Sequence, residues 1–230
     1  MTGLANTPLG VELLDDPAAH PDIVRSSLRH IARSNRWLGG THAARFGLAR
    51  ALKGLSPVRP LTLMDIGTGA GDLPLDARRW GARHGYRITP LGLDHSGVAA
   101  RIAAKNGVFS VVGCAGSLPF GNQSVDIVLV SQVIHHMRRD AVVRMLRECD
   151  RIARRAVIVS DLHRARMAMA GFWVASRVLQ FDATTQCDGI TSVRRGYKLK
   201  EFAALFAEAG IAARCWRRPG YRLVAVWKRS

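Results

Sequence analysis

The chain of 230 residues contains no long apolar run, although 48% of its residues are hydrophobic. A helix that crosses a membrane needs roughly 20 consecutive apolar residues, and no stretch of this sequence approaches that length. The first ten residues also lack the basic patch, apolar run and small-residue cleavage site of a secretory signal. These absences predict a soluble, cytoplasmic protein, and the length suits one domain with room for a terminal extension or an inserted cap.

Cysteine is scarce and widely scattered along the chain. The four cysteines, Cys114, Cys149, Cys187 and Cys215, include no Cys-x-x-Cys pair. Such spacing suits neither a zinc site nor the dense disulfide framework of a small secreted protein. We therefore expect reduced thiols.

Acidic residues are also few, with 17 Asp and Glu against 34 Lys and Arg, for a formal net charge of +17. A field of that sign attracts phosphate backbones, anionic membrane surfaces and acidic ligands, which makes RNA a rival substrate class. Most of the positive charge is arginine spread over the whole chain rather than one basic tail. That distribution favours a general compositional preference for arginine, and leaves a nucleic-acid partner possible but not favoured.

Strands and helices alternate from residue 61 onward. Apolar runs and helical spacings predict strands at 61–66, 87–94, 109–113, 126–131 and 155–160, and helices at 73–84, 97–106, 139–152 and 199–209. This alternation implies right-handed crossovers and an α/β fold with a doubly wound, Rossmann-like, mostly parallel sheet. A closing antiparallel pair at 212–217 and 221–228 makes seven strands, and ligands of such a sheet bind beyond the carboxyl ends of the strands.

The residues before this alternation are predicted to be helical. Apolar spacings near three, four and seven residues indicate two helices within 20–53, broken at Gly39 and Gly40. We therefore divide the chain into an N-terminal helical extension or lid at 1–58 and a main domain at 59–230.

Three glycines at alternate positions separate the first predicted strand from its helix. At Gly67, Gly69 and Gly71 the missing Cβ lets backbone amides approach a ligand closely. Asp94 ends the next strand, where its carboxylate can accept hydrogen bonds from both hydroxyls of a ribose. A nicotinamide or flavin oxidoreductase would share these features, so the turn by itself predicts a cofactor of nucleotide type and not a reaction.

Three further stretches of sequence distinguish between the enzyme classes that share this glycine turn. Asp65 precedes the first glycine, the loop Gly113-Cys-Ala-Gly-Ser-Leu-Pro-Phe120 follows the third strand, and the fourth strand continues through Asp126-Ile-Val-Leu-Val-Ser-Gln-Val-Ile-His-His-Met137. This ordered set, over roughly residues 60–160, resembles the small-molecule class I methyltransferases that use S-adenosylmethionine, including the ubiquinone and menaquinone biosynthesis enzymes. The segments 35–40 and 192–197 are similar to methyltransferases that accompany polyketide synthesis of phenolic lipids.

The resemblance implies a cofactor-binding role for each matching position. It places Asp65 and Gly67 beside the amine and carboxylate of the methionine part, Asp94 on the ribose, His95 along the adenine ring and the Ala115 backbone at the adenine edge. Thr68, Gly69 and Gly71 complete the glycine turn, and Ser131 and Gln132 flank the sulfonium. Cys114 stands where the family usually has Asp. Because a thiol accepts the adenine amino proton poorly, we expect Cys114→Asp to tighten S-adenosylmethionine binding.

Methyl transfer is an in-line displacement at a sulfonium that is already activated, so the protein has to align a nucleophile and, for a phenol, remove its proton. A histidine that is neutral near pH 7 suits the second task. His135 and His136 follow the fourth strand, and His163 follows Asp161 at the end of the fifth, which makes these four the candidate catalytic residues. Each also has a structural alternative, since adjacent histidines after a strand serve capping and packing, and His163 suits a solvent-facing position.

The acceptor pocket is expected from segments outside the common core, among them a cap insertion at about 163–197. Within the cap, 163–181 has the spacing of one apolar, partly basic helix, and 182–197 is polar and irregular. The candidate substrate-binding residues are Arg36, Trp37, Phe172, Trp173, Arg195 and Tyr197. Apolar and aromatic side chains suit an apolar acceptor, although they equally suit packing of the helix onto the sheet, a membrane or a dimer surface.

These features predict methylation of a small aromatic, phenolic or quinone-like precursor of secondary metabolism, on oxygen in preference to carbon, by a monomer or homodimer. No metal is expected, because catechol-type enzymes bind magnesium through several carboxylates and only Asp161 lies at a comparable strand end. The Asn-Pro-Pro-Tyr motif of enzymes that methylate exocyclic base nitrogens is missing from the fourth strand, which disfavours DNA. An RNA methyltransferase and a noncatalytic cofactor-binding protein of the same fold remain the alternatives.

Overall fold

Seven strands form one sheet at the centre of the protein. The computed structural model describes residues 20–56 and 59–229. The strands are β1 (Leu61–Ile66), β2 (Ile88–Asp94), β3 (Phe109–Val112), β4 (Val125–Ser131), β5 (Ala153–Leu162), β6 (Arg214–Arg218) and β7 (Arg222–Lys228). Their order is β3-β2-β1-β4-β5-β7-β6, with β1 to β5 parallel and β7 antiparallel to β5 and β6. The predicted mostly parallel, doubly wound sheet with a C-terminal antiparallel pair is confirmed.

Helices cover both faces of the sheet. They are α1 (Pro21–Trp37), α2 (Gly40–Leu52), α3 (Asp72–Arg83), α4 (Gly97–Lys105), α5 (Arg139–Ile152), α6 (Arg166–Val178), α7 (Ala183–Arg195) and α8 (Leu199–Ala209). The apolar core under one face includes α5 and α8, and the core under the other includes α2 and α3. Among the helices described, none has both the length and the apolar composition needed to cross a membrane.

The central strands are apolar because both of their faces are covered, and every residue of β4 is buried. Near its start, Asp126 accepts a hydrogen bond from the Thr62 backbone at 3.0 Å and contacts the guanidinium groups of Arg154 and Arg155 at 3.1 and 3.2 Å. Burial alone would raise the pKa of Asp126, but the Thr62 hydrogen bond and the two arginines lower it. Asp126 therefore ties β1, β4 and β5 together at their amino ends.

The two predicted N-terminal helices are confirmed, and they separate at Gly39. Its φ of 89° is left-handed, and a Cβ there would lie 2.7 Å from the Pro219 carbonyl oxygen, so only glycine fits. Leu48 and Leu52 of α2 are buried in the core beneath β5 and β7, whereas α1 lies over the carboxyl ends of the strands. Residues 1–19 of the predicted extension are outside the described residues.

The cap differs from the prediction of one helix followed by an irregular stretch. The first helix, α6, ends at Val178, and the stretch predicted as irregular is the helix α7. Asp182 caps α7 by accepting a hydrogen bond from the Thr185 backbone at 2.7 Å. Threonine and glycine give this segment low intrinsic helix propensity, but Gly189 lies directly against the Phe172 ring of α6, and packing between the helices overrides propensity.

Candidate active site

The turn between β1 and α3 brings backbone amides to the carboxyl end of the sheet. Gly67, Gly69 and Gly71 have φ values of 71°, 54° and 78°, which favour glycine. A Cβ on Gly67 would lie 2.5 Å from Val133 Cγ2, so this position also requires a close approach. A Cβ on Gly71 would instead meet Val108 at 2.7 Å, so Gly71 packs α3 against its neighbours and does not face a ligand.

A cavity of about 350 Å³, which we call the sheet-end cavity, opens beside this turn. Its lining includes most of the residues predicted to bind the cofactor, together with both histidines that follow β4: Asp65, Gly67, Thr68, Gly69, Asp94, His95, Ala115, Ser131, Gln132, His135 and His136. The structure therefore brings residues from four strand ends to one place, as expected for a parallel sheet.

Four residues that line this cavity each have a buried polar atom without a hydrogen-bond partner among the residues that the structure describes: Oδ1 of Asp65, Oγ1 of Thr68, Oγ of Ser131 and Nε2 of His135. Burial, and then the charge of Asp72, raises the pKa of Asp65 well above its usual range. A cationic ligand group would supply the missing partner and favour the ionised form. Asp65 is thus suited to bind an ammonium group.

Asp94 supports the glycine turn and lines the same cavity. Its Oδ2 accepts a hydrogen bond from the Gly69 backbone at 2.8 Å, and its Oδ1 accepts one from the Ser96 backbone at 2.9 Å. A carboxylate oxygen can accept more than one hydrogen bond, so capacity remains for ligand hydroxyls. The neighbouring His95 is largely exposed and lies at the rim.

Cys114 is not brought into the lining of the sheet-end cavity. Cys114 is exposed and forms an isolated β-bridge with Ser117, while the adjacent Ala115 lines the cavity. The chain turns at Ala115 and Gly116, between the two residues of this bridge. The expected contact between the Cys114 thiol and the cofactor is therefore not supported by the structure.

A buried histidine of the cavity wall, His135, lies on the short 3-10 turn Ile134–His136 that follows β4 and pairs with Asp161 of β5. His135 Nδ1 lies 2.7 Å from Asp161 Oδ1. Burial alone would raise the pKa of Asp161, but the charge of His135 and its hydrogen bond lower it, so Asp161 is ionised and accepts the Nδ1 proton. In the neutral form of His135 that keeps its proton on Nδ1, Nε2 is an acceptor, and the described residues provide no hydrogen-bond partner for that atom.

Asp161, one of the four candidate catalytic residues, does not line either cavity. It is completely buried and also accepts hydrogen bonds from the backbones of Ile134 and Leu162, at 3.2 and 2.6 Å. Tyr197, predicted to contact the substrate, donates its hydroxyl to the Ile134 carbonyl at 2.9 Å instead. Burial raises the pKa of Tyr197, so its hydroxyl keeps the proton that it donates. Asp161 and Tyr197 therefore both hold the turn that carries His135.

A second cavity of about 290 Å³, the lid cavity, lies between α1, α6, α7 and the ends of β5 and β7. Its apolar lining includes Trp37, Leu38, Leu162, Phe172, Phe181 and Val193, and its polar lining includes His30, His163 and Arg222. The lid cavity and the sheet-end cavity share three lining residues, Ile31, Gln132 and Ser192. The two cavities therefore meet at the end of β4.

Besides Tyr197, three more of the six predicted substrate-binding residues lie outside both cavities. Arg36 is exposed, with its guanidinium 5.4 Å from the Trp37 ring, and Trp173 is 49% exposed under the guanidinium of Arg177. Neighbouring helical residues point about 100° apart. Within each adjacent pair only one residue therefore lines the lid cavity: Trp37 and not Arg36, and Phe172 and not Trp173. Arg195 lies outside both linings, with Nη1 3.4 Å from His136 Nδ1.

His163 lines the lid cavity, as a residue near the acceptor should. Burial, followed by the charges of Arg217 and Lys198, lowers its pKa, so His163 is neutral near pH 7. His30 and Arg222 were not predicted as site residues. The sequence signal for Arg222 was a charged residue at the start of an otherwise apolar strand, Leu223 to Trp227. Within the described ranges, no cluster of His, Cys, Asp and Glu is arranged to hold a metal ion.

Comparison with known proteins agrees with this architecture. Residues 64–159 match the family model of a methyltransferase domain. No protein of curated function matches the sequence. The matched segment runs from within β1 into β5 and includes most of the residues that line the sheet-end cavity, so the match covers most of the region in which the cofactor was predicted to bind.

Three solved structures illustrate the likeness. A SAM dependent methyltransferase from Aquifex aeolicus is 15% identical with a TM-score of 0.59, over 91% of this chain and 98% of that one. A putative O-methyltransferase from Nostoc punctiforme is 18% identical with a TM-score of 0.60, over 91% of this chain and 61% of that one. Magnesium protoporphyrin IX methyltransferase from Synechocystis, solved with bound SAH, is 17% identical with a TM-score of 0.54, over 84% of each chain. At these identities the likeness establishes the fold.

Proposed function

We propose that this S-adenosylmethionine-dependent methyltransferase transfers a methyl group to a small aromatic or phenolic acceptor, with oxygen as the favoured methylated atom. The observation that carries the proposal is the meeting of two cavities at Ile31, Gln132 and Ser192. One has the polar groups that a nucleoside with an amino-acid tail requires, and the other is largely apolar. An acceptor in the lid cavity would thus lie beside the cofactor's reactive end.

The sheet-end cavity fits the cofactor group by group. The unpartnered Oδ1 of Asp65 suits its ammonium group, the close backbone at Gly67 suits its carboxylate, and Asp94 suits the ribose hydroxyls. His95 and Ala115 lie where the adenine is expected. When bound, S-adenosylmethionine supplies a methyl group already activated on a sulfonium.

The lid cavity favours a small acceptor over RNA. It is bounded by three helices, α1, α6 and α7, and its aromatic lining suits a single ring better than a polynucleotide backbone. We propose that α1 and the cap at 163–197 together form the lid over the acceptor. The sequence resembles quinone and phenolic-lipid methyltransferases, and this resemblance supports an acceptor of that chemical type.

We propose His135 as the general base for a phenolic acceptor and Asp161 as its positioning residue. A phenol loses its proton as its oxygen is methylated, and His135 Nε2 is held as an acceptor by the bond from Nδ1 to Asp161. The His136 ring lies 4.1 Å from that of His135 and forms the adjoining wall. His163 is proposed as an acceptor contact, since it lines the lid cavity.

The test is transfer of labelled methyl from S-adenosylmethionine to a panel of phenols and quinols, with transfer RNA and a water blank in parallel. We expect methylated phenol from the wild type, and we expect His135→Gln to lower kcat by about a hundredfold or more with little change in S-adenosylhomocysteine affinity. The matched control is His84→Gln, on the exposed end of α3. Labelled RNA with no labelled phenol would contradict the proposed acceptor, and unchanged kcat in His135→Gln would contradict the proposed base.

A further inference from the structure

A buried arginine forms part of the wall of the lid cavity. Arg222, the first residue of β7, is only 3% exposed and lines this cavity. Its Nη1 donates a hydrogen bond to Gln132 Oε1 at 2.6 Å, and its Nε donates one to the Leu38 carbonyl at 3.2 Å. Both acceptors are neutral, and no carboxylate of residues 20–56 or 59–229 forms an ion pair with Arg222. The guanidinium charge is therefore buried and uncompensated by a contact.

Such a charge is costly to bury, because water no longer solvates it. Burial lowers the pKa of Arg222 to about 10, an effect that the more distant charge of Asp161 only partly opposes. The side chain is still protonated near pH 7. Asp161 does not serve as its partner, since its oxygens accept hydrogen bonds from His135 and two backbone amides.

The Arg222 side chain is also held in a defined position. Gln132, which accepts from Arg222, donates to Asn35 Oδ1, and Asn35 donates to Asp72 Oδ2 at 3.0 Å. Because arginine can only donate, Gln132 turns its oxygen to Arg222 and its amide nitrogen to Asn35, and Asn35 in turn donates its amide nitrogen to Asp72. Gln132 adopts a φ of 57° to take part, a left-handed conformation that is uncommon outside glycine and that concentrates at functional sites.

This hydrogen-bonded chain runs from the lid cavity to the sheet-end cavity, since Arg222 lines the first, Asn35 and Asp72 line the second, and Gln132 lines both. A charged donor fixed at the junction is organised in advance for a ligand. A guanidinium binds carboxylates and phenolates through charge-assisted hydrogen bonds.

We propose that Arg222 binds an anionic oxygen group of the acceptor, a carboxylate or a phenolate, and so makes the enzyme selective for acidic aromatic acceptors. The inference rests on the proposed function, because it names the chemical class that the lid cavity takes. A carboxylate would anchor the ring beside the cofactor. A phenolate would be stabilised by Arg222 in the form that attacks the methyl group.

Two matched pairs of probes distinguish a carboxylate from a phenolate as the group that Arg222 binds. Binding is measured by calorimetry on protein saturated with S-adenosylhomocysteine, near pH 8. The first pair is 2,4-dihydroxybenzoate and 2,4-dihydroxybenzamide, and the second is 4-nitrophenol and 4-nitroanisole. We expect the anionic member of at least one pair to bind about tenfold more tightly, the scale of one hydrogen bond to a charged group. Preference in the first pair identifies a carboxylate, and preference in the second identifies a phenolate.

Three variants test whether Arg222 causes the preference. Arg222→Gln should abolish it, Arg222→Lys should retain part of it, and Arg214→Gln, which removes an exposed arginine of β6, should leave it unchanged. Equal binding within both pairs, failure of all four probes to bind the wild type, or an undiminished preference in Arg222→Gln would overturn the inference.

The parallel readouts distinguish this inference from the proposed function. If the wild type methylates neutral phenols and shows no preference for anions, the proposed function stands and the role of Arg222 is wrong. If the wild type does not bind S-adenosylhomocysteine, the proposed function fails first. Melting followed by circular dichroism checks that the Arg222 variants are folded, and Arg222→Lys, which keeps the charge, serves as the test if Arg222→Gln does not fold.

Discussion

The sheet-end cavity and the lid cavity are built in different ways. The first is formed mainly by strand ends and a glycine turn within the segment that matches a methyltransferase domain, where the sheet fixes backbone amides and carboxylates, with α1 on one side. The second is formed by side chains of α1, α6 and α7 and of the ends of β5 and β7. One scaffold can therefore keep the same cofactor chemistry while the covering helices determine the acceptor.

The difference implies that substitutions in the two regions fail in separable ways. Changes at the sheet end should alter cofactor binding or global stability, because the same residues pack the central strands. Changes in the lid should alter acceptor binding alone. Three substitutions test this separation.

The largest effect is expected at Asp161, where the sheet is joined to the turn that carries His135. Asp161→Asn removes the charge that pairs with His135, and breaking a buried pair costs about 3 kcal/mol, so the free energy of unfolding should fall by that amount at pH 7. The pKa of Asp161 is lowered in the fold. Its stabilisation is thus complete above the unfolded pKa of about 3.9 and is lost as the pH falls through the lower folded value.

Urea unfolding at pH 7 and near pH 3 measures this effect. The gap between wild type and Asp161→Asn should be largest at pH 7 and should shrink in acid. Asp140→Asn, an exposed control on α5, should leave stability nearly unchanged. A gap that is the same at both pH values would show that Asp161 contributes no charge-dependent stabilisation.

An intermediate effect is expected at Gly67. Gly67→Ala combines a left-handed φ of 71° with a Cβ 2.5 Å from Val133 Cγ2, and should weaken S-adenosylhomocysteine binding by about tenfold, the scale of 1–3 kcal/mol of local strain. Gly107→Ala is the matched control, because its φ of 91° is equally unfavourable but its Cβ would meet nothing within 4 Å. Equal losses of affinity in the two variants would mean that strain, and not the close approach at Gly67, is responsible.

The smallest effect is expected in the lid, at Gly189. The Cβ added by Gly189→Ala would overlap the Phe172 ring and force α6 and α7 apart. Overpacking of this kind costs about 1–3 kcal/mol, so KM for a phenol methylated by the wild type should rise several-fold while S-adenosylhomocysteine affinity stays constant. Gly121→Ala, in a loop with open space, is the control. A change in cofactor affinity with unchanged KM would reverse the assignment of the two regions.

The sheet-end region was the more predictable from sequence, for physical reasons. Its strands are short apolar runs, and Gly67 and Asp94 owe their places to the ends of adjacent parallel strands. The lid depends on side-chain direction and on contacts between distant segments. Helix α7 was missed because its packing against Phe172 outweighs the low propensity of its residues, and Arg222 joins the site only because β7 returns beside β5.

Asp161, Tyr197 and Cys114 were predicted to contact a ligand, and the structure places them next to the site but outside the linings of both cavities. Asp161 and Tyr197 both point into the structure that supports His135, and Cys114 points away from the cavity that Ala115 lines. The order of residues along the chain fixed their neighbourhood. The direction of each side chain was fixed by partners that the local sequence does not contain.

The most direct test of the account is calorimetric binding of S-adenosylhomocysteine to the wild type and to Asp94→Ala, with NADH as the control ligand. Asp94 lies between the glycine turn and the expected ribose. The account predicts that S-adenosylhomocysteine binds the wild type, that Asp94→Ala weakens it by about a hundredfold through loss of two hydrogen bonds to a charged group, and that NADH does not bind. Binding of NADH in its place, or undiminished binding of S-adenosylhomocysteine to Asp94→Ala, would contradict it.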